Sequence, residues 1–379
     1  MNFELNETHK MIKETAHQFA LDELAPSADD RDEKEEFPYE QVKKLGELGF
    51  MGMMVPEEFG GAGLDTVSYV ITIEEISKVD ASAGVIMSVN NSLVCHGLLK
   101  WGSDEQKQKY LVPLASGKKL GAFALSEPEA GSDATNQHTT ATRDGDSYVL
   151  NGIKNWITNG LNADYIIVMA QTDTAKGHKG ISTFIVEKGM SGFTYGKKER
   201  KLGIRSSDTV SLLFDNVRVP VSNRIGDEGF GFKFAMMTLE GGRIGIAAQA
   251  LGIAQGSLDA AIKYSQERKA FGKPIAELQS IQFKIADMAT EIEAARLLTY
   301  RAAQLKDNGE SFGKEAAMAK LAASKTAVTC ALEAIQIHGG YGYVREYNVE
   351  RYLRDAKITE IYEGTSEIQR VIISRALLS

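Results

Sequence analysis

Residues 147–160 read S-Y-V-L-N-G-I-K-N-W-I-T-N-G. Ser147–Leu150 has the texture of a short strand, and the Asn151-Gly152 pair behind it is a turn signal. Trp156 and Thr158 stand two apart, which on a strand puts both side chains on one face. Such a face can hold a flat aromatic ring while the Thr158 hydroxyl reaches its edge; the other reading makes Trp156 a core residue of a hairpin. More short apolar runs follow at Tyr165–Gln171, Ile181–Val186 and Thr209–Phe214. The last precedes a second turn signal, Asp215-Asn216, and Pro220 closes the segment. Strands of this length and spacing predict a β-barrel or sandwich across residues 119–225.

The flanks change period. Upstream, Leu5, Met11 or Ile12, Phe19 and Leu24 recur at helical spacing. Pro26 and Pro38 punctuate the charged run Asp29–Glu36, which reads as a solvated face or loop. A Gly-rich turn at 60–63 leads to a helix expected from about Asp65, carrying Ile71, Glu74, Glu75 and Ile76. Downstream, Leu278, Ile281, Ile285, Met288, Ile292 and Ala295 step by three and four and continue through Leu298, Ala302 and Leu305. A second long helix is expected after Gly313, rich in Ala, Lys and Leu as far as Ala334. Long helices with short joints predict a four-helix bundle. The expected architecture is α+β in three domains: helical over 1–118, β-barrel or sandwich over 119–225, bundle over 226–379. A doubly wound parallel sheet would alternate strands and helices throughout, which this chain does not.

Of the 379 residues 43% are apolar and 25% charged, and the net charge is −8. Broad binding to nucleic acid or to an anionic membrane needs a basic surface, so neither is expected. No apolar stretch is long enough to span a bilayer. The opening MNFELNETHK has neither a basic nor an apolar region, so no signal peptide is expected and the chain reads as cytoplasmic; a processed mitochondrial matrix form would look similar. Cys95 and Cys330 read as buried, reduced thiols. The six histidines lack metal-ligand spacing, and no metal site is expected. The short signatures of ATP, nicotinamide and metalloprotease sites are absent from the sequence.

Three further segments carry chemistry. Phe123–Asp133 joins an apolar strand to a Gly131-Ser132 turn whose backbone can approach a ligand, or it is a plain interdomain loop. Arg268-Lys269-Ala270-Phe271-Gly272 precedes Gln279 and Gln282, which share a helix face, and Gln336–Gly340 ends on a double glycine. Arg268 can neutralise a phosphate; otherwise these are a helix cap and interhelical contacts. In Ile361–Gln369, Glu363 precedes Gly364, and Thr365 or Ser366 can cap the last helix. A carboxylate desolvated there has its pKa raised toward neutrality and can act as a base; the alternative is a surface loop Glu.

Together and in this order, the motifs resemble the acyl-CoA dehydrogenase family of flavoproteins over essentially the whole chain. They are Ala124–Pro128 with Ala130–Asp133, Trp156–Gly160, Arg268 with Ala270–Gly272, Gln336 with Gly339-Gly340, and Tyr362–Thr365. Ser88–Leu93, Lys201–Arg205 and Gly242–Ala247 are most like the short-chain (butyryl-CoA) members. The resemblance implies FAD, with Phe123, Leu125, Ser126, Gly131, Ser132, Trp156, Ile157 and Thr158 around the flavin and ribityl. From a neighbouring subunit it implies Arg268, Phe271, Gln279, Gln336, Ile337, His338, Gly339 and Gly340 at the ADP part, with Thr365, Ser366 and Glu367 closing the site. It implies acyl-CoA contacts from Ser132, Glu240, Gly241, Gly242, Arg243 and Gly364, and α-proton abstraction by Glu363. It further implies a homotetramer, a dimer of dimers, that passes electrons to electron-transfer flavoprotein. Where some relatives carry the base, immediately before Arg243, this chain has Gly242; where relatives often have Asp, it has Glu240. A branched short-chain or glutaryl-type dehydrogenase, an oxidase, and a non-catalytic acyl-CoA-binding protein are the other readings.

Overall fold

The computed structural model describes residues 4–378. Met1–Phe3, where part of the leader expectation falls, and Ser379 lie outside them. The first segment is helical: α1 (Glu7–Phe19), α2 (Ala28–Lys34), α3 (Tyr39–Glu47), α4 (Thr66–Val79), α5 (Ala81–Ser88), α6 (His96–Trp101), α7 (Asp104–Gln106) and α8 (Val112–Ala115). Asp65 caps α4 by accepting from the Ser68 N–H at 2.7 Å, which starts that helix where the sequence predicts it. On α1 the core residue is Ile12, and Met11 faces solvent.

The charged run 29–36 is for the most part a solvated helical face, with Asp29, Asp30, Glu33, Lys34 and Glu36 exposed, but one side of it is buried. It forms α2, with Arg31 and Asp32 buried. Arg31 pairs with Asp80 at 2.7 Å and Asp32 with Arg354 at 2.8 Å, so α2 is a polar seam between the first and last segments. Burying these charges is tolerated because each has its counter-charge.

The middle segment is one eight-stranded sheet. Its strands are β1 (Gly121–Ala124), β2 (Thr140–Asp144), β3 (Ser147–Thr158), β4 (Tyr165–Gln171), β5 (Ile181–Glu187), β6 (Phe193–Lys198), β7 (Thr209–Pro220) and β8 (Arg224–Ile225). The order is β6-β7-β3-β2-β4-β5-β8, with β1 parallel to β4. A single pair, Thr140 with Gln171, joins the two halves, and both contribute to one core that includes Tyr148, Leu150, Ile157, Val168, Phe184 and Phe214.

Neither of the two turn signals is a turn. β3 and β7 run through Asn151-Gly152 and Asp215-Asn216, which face each other in one β-bulge between the pairs Leu150–Val217 and Gly152–Phe214. Gly152 has φ 143°, and a Cβ there would come within 2.7 Å of the Thr139 Cα, so the glycine serves close packing instead of chain reversal. A second register shift, between Lys154 and Ile157, flips the alternation. Ile157 then points into the core, while Trp156, at φ 62°, is 63% exposed and is no core residue.

The last segment holds α9 (Gly231–Glu267), α10 (Gln279–Asp307), α11 (Gly313–His338), α12 (Val349–Thr359) and α13 (Ser366–Leu378), with a small hairpin, β9 (Lys269–Ala270) and β10 (Lys273–Pro274), after α9. The stripe on α10 buries Met288, Ile292, Ala295 and Ala302 as its spacing predicts. α9 packs against both α4 and α11, and its middle is buried on all sides. Both cysteines are free and buried. Among the described residues no helix is long and apolar enough to cross a membrane.

Candidate active site

Glu363 lies between the end of α12 and the start of α13, in a loop that folds back on itself. Glu363 has φ 52° and Gly364 φ 96°. Thr365 is the N-cap of α13, its hydroxyl accepting from the Ile368 N–H at 3.3 Å. The loop residues are half-buried apart from the exposed Ile361, and Glu363 turns inward: its Oε2 atom is buried and has no hydrogen-bond partner. Burial pushes its carboxyl up to about 7, against the opposing pull of the Lys320 and Arg243 charges. The backbone N–H of Glu363 also has no acceptor among the described residues.

The middle of α9 faces this carboxylate. A Cβ on Gly242 would collide with Glu363 Oε2 and stand 2.8 Å from Leu93 Cδ2. The side chain of Glu363 therefore lies directly over the glycine. Arg243 is buried beside it, with its Nε unpartnered. Burial lowers the Arg243 pKa, while Glu240 and Glu363 oppose that shift. Beyond Gly242 the wall is polar and buried: Tyr69 Oη and Ser88 Oγ meet at 2.9 Å, and the Tyr362 hydroxyl donates to Gln249 Oε1. Glu240 itself is half-buried, with its carboxylate against Gly313 at the start of α11.

The two segments expected around a flavin come together. Asn155 N–H donates to the Ser126 carbonyl at 2.9 Å, which ties the loop after β1 to the strand carrying Trp156, Ile157 and Thr158. The loop is braced by a buried ion pair, Lys154–Glu127 at 2.7 Å, and Lys154 also donates to the Leu125 carbonyl at 3.0 Å. Glu127 accepts from the His138 N–H at 2.6 Å. Phe123 is buried and stacks with Phe234 of α9. Gly131 and Ser132 are exposed, and nothing would stand within 4 Å of a Cβ on Gly131. Trp156, exposed and at positive φ, and the open Gly131-Ser132 turn both leave backbone and ring surface accessible to a ligand.

Arg268, Ile337, His338, Gly339 and Gly340 line a second concavity of about 490 Å³ with Tyr264 and Tyr341. The Arg268 guanidinium lies over the Tyr341 ring at 5.5 Å and makes no ion pair among the described residues, so its charge is available to an anion. Phe271, at the hairpin tip, has φ 53° and is 90% exposed. Gln279 and Gln336 are exposed near its rim elements, and Glu367 pairs only with Arg370 at the surface. This concavity shares no lining residue with the surroundings of Glu363.

Two buried lysines escaped the sequence reading. Lys154 sits at an inward position of β3, in phase with Tyr148 and Leu150, and that phase was the available signal. Lys320 lies in an alanine-rich stretch of α11 on the side that packs against α12.

The family comparisons divide the chain as the fold does. The model of the acyl-CoA dehydrogenase N-terminal domain matches residues 6–118, that of the middle domain 122–217, and that of the C-terminal domain 229–378. The chain belongs to the acyl-CoA dehydrogenase family. It is 58% identical over 375 residues to the short-chain specific acyl-CoA dehydrogenase of Rattus norvegicus mitochondria, covering 99% of this chain and 91% of that one. Butyryl-CoA dehydrogenase from Megasphaera elsdenii is 50% identical, with a TM-score of 0.99 and full coverage of both chains. A chain from the structure of the electron transferring flavoprotein of Acidaminococcus fermentans is 53% identical, also with a TM-score of 0.99 and full coverage.

Proposed function

We propose that this protein is an FAD-dependent dehydrogenase of short-chain acyl-CoA, converting a butyryl-CoA-like thioester to the trans-2-enoyl-CoA with Glu363 as the base. One observation carries the reading: a carboxylate with one oxygen buried and unpartnered, its pKa raised to about 7, set over a glycine in the middle of the longest helix. The likeness to short-chain and butyryl-CoA dehydrogenases supports the substrate class.

The exposed Trp156, the open Gly131-Ser132 turn and the unpaired Arg268 fit FAD, whose bound flavin accepts the hydride from the substrate β carbon. Phe123, Leu125, Ser126, Gly131, Ser132, Trp156, Ile157 and Thr158 hold the flavin and ribityl. Arg268, Phe271, Gln279 and residues 336–340 serve the ADP part of a neighbouring subunit's cofactor, and Thr365, Ser366 and Glu367 close the site. A base with its pKa near the working pH is half ionised there, yet strong enough to take the weakly acidic α proton. The unsatisfied Glu363 N–H is a donor for the thioester oxygen as negative charge develops on it. Ser132, Glu240, Gly241, Gly242, Arg243 and Gly364 place the acyl-CoA so that its α carbon lies against the carboxylate. Sharing FAD across an interface requires an oligomer, here a homotetramer built as a dimer of dimers. The electron acceptor is an electron-transferring flavoprotein, in keeping with the Acidaminococcus relative, and the compartment is cytoplasm or, in a processed form, mitochondrial matrix.

The test is the visible spectrum of the purified protein, without oxygen, before and after butyryl-CoA. Bleaching of a flavin band, abolished in Glu363→Gln with FAD retained, is the expected result. A Glu363→Gln protein that turns over normally would remove Glu363 as the base.

A further inference from the structure

The loop at 360–365 holds two successive residues at positive φ, one of them not glycine. Such a conformation is costly and persists only where surrounding contacts fix it. One side chain that spans this loop comes from another helix. Lys320 of α11 is 1% exposed, and its Nζ donates to the Thr359 carbonyl at 3.0 Å and to the Gly364 carbonyl at 2.7 Å. Those two carbonyls stand on either side of Glu363. Each has one other donor: Ser324 Oγ reaches Thr359 O at 2.8 Å, and Gln369 Nε2 reaches Gly364 O at 2.8 Å. The loop also closes on itself through the Ser366 N–H, which donates to the Glu360 carbonyl at 2.9 Å. Lys320 is the side chain that reaches both flanking carbonyls, and it does so with a charged donor, which makes the stronger hydrogen bonds. It makes no hydrogen bond to Glu363 itself, whose Oε2 stays free.

We propose that Lys320 is a positioning residue for proton abstraction: its buried ammonium clamps the carbonyls on both sides of Glu363 and sets a positive charge on the side of the loop where that carboxylate works. The proposal rests on the reading of Glu363 as the base. The charged and titratable groups that face Glu363 are Lys320 from α11, Arg243 from α9 with Glu240 beyond it, Tyr69 from α4, and Tyr362 in the same loop. Lys320 in turn faces Glu363, Arg243 and Glu360. Removing Lys320 leaves Arg243 as the one cation of this set. A nearby opposite charge holds a carboxyl about one to three pH units lower; Lys320 makes no contact ion pair with Glu363, so its loss moves the acid limb of activity upward by the low end of that range, about one unit.

The experiment measures the pH dependence of kcat/KM for butyryl-CoA in the FAD-loaded wild type, Lys320→Met, Lys320→Arg and Glu363→Gln. In parallel, the Glu363 carboxyl is titrated by infrared difference spectroscopy against Glu363→Gln. In Lys320→Met both carbonyls keep their second donor, so a folded protein is expected. Its acid limb and its infrared titration should both rise by about one pH unit, and Lys320→Arg should restore both. Should Lys320→Met fail to fold, Lys320→Gln, which keeps an N–H donor without the charge, takes its place with the same expected shift. A neutral variant whose limb and titration coincide with wild type, whatever its rate, overturns the proposal and leaves Lys320 a structural residue. Full turnover by Glu363→Gln overturns instead the assignment of the base.

Discussion

Gly242→Ala tests the geometry of the site with a single methyl group. Real Cβ atoms keep at least 3.0 Å from their neighbours, and a Cβ on Gly242 lands well inside that limit from Glu363 Oε2. The obstructing atom is the end of a flexible side chain, as is the second one, Leu93 Cδ2 at 2.8 Å. The carboxylate therefore yields, retreating by about 1 Å, a displacement that costs about 100-fold in a rate depending on near-attack geometry. Converted to a barrier, this is about 2.7 kcal/mol. Stability should move far less. Alanine is favoured over glycine in a helix by about 1 kcal/mol, which offsets the repacking of Leu93 and leaves Tm within a few degrees of wild type. The assay is the anaerobic rate of flavin bleaching by butyryl-CoA in a stopped-flow instrument, with Tm measured on the same preparations. On a Glu363→Gln background the methyl group should cost less in the residual rate than it does in wild type, because part of its effect runs through the displaced carboxylate. A Gly242→Ala enzyme within about threefold of wild type would show that the carboxylate does not work from over Gly242, and the proposed mechanism would fail with it.

Two further outcomes follow from buried charge. The Glu363 carboxyl is raised from 4.5 to about 7, so the stability associated with its protonated form is complete below about pH 4.5 and is lost as pH rises through 7. Glu363→Gln should then match wild type at pH 4 and exceed it by up to roughly 3 kcal/mol at pH 8 in urea melts; equal stability at pH 8 would contradict the burial of that charge. Lys154→Met removes one partner of the buried pair with Glu127 and should destabilise by about 3–5 kcal/mol in chemical denaturation. Neutralising the partner as well, with Glu127→Gln, should recover part of that loss, because the carboxylate no longer sits unpaired.

The sequence was legible wherever one face of an element meets one core. The α10 stripe and the Asp65 cap fall where periodicity and hydrogen-bonding chemistry put them. Reading failed where a residue's neighbours come from distant parts of the chain. Asn151-Gly152 and Asp215-Asn216 look like two turns because each is a turn dipeptide locally; only their juxtaposition across β3 and β7 makes them one bulge. Arg31 and Asp32 look solvated until Asp80 and Arg354 arrive to pair with them. The role of Glu363 came from resemblance. The residues alone left both base and surface loop open, since the setting of that carboxylate is decided by Gly242 of α9 and Lys320 of α11, more than forty residues away in sequence.

The non-glycine residues at positive φ include Trp156, Phe271 and Glu363, one from each of the three groups expected to meet a ligand. Backbone strain at such positions is held by polar contacts from neighbouring elements. The strand next to Trp156 is anchored by Lys154 and by Asn155 bonding to Ser126; the loop around Glu363 is anchored by Lys320. α12, which delivers that loop, is fixed at its other side by Asp355, whose carboxylate accepts from the Ile204 N–H at 2.5 Å, and by Arg354 reaching Asp32. The Glu363 loop is thus tied to all three segments of the chain through charged and polar contacts. Apolar packing tolerates small shifts of a side chain, whereas a buried ion that loses its partner has no solvent to turn to. If Glu363 is the base as proposed, its function depends on placing a carboxylate to within an ångström, and such a site is better held by the second kind of contact than by the first, which gives a physical reason for burying Lys320 under its loop and Lys154 with Glu127 under the strand of Trp156.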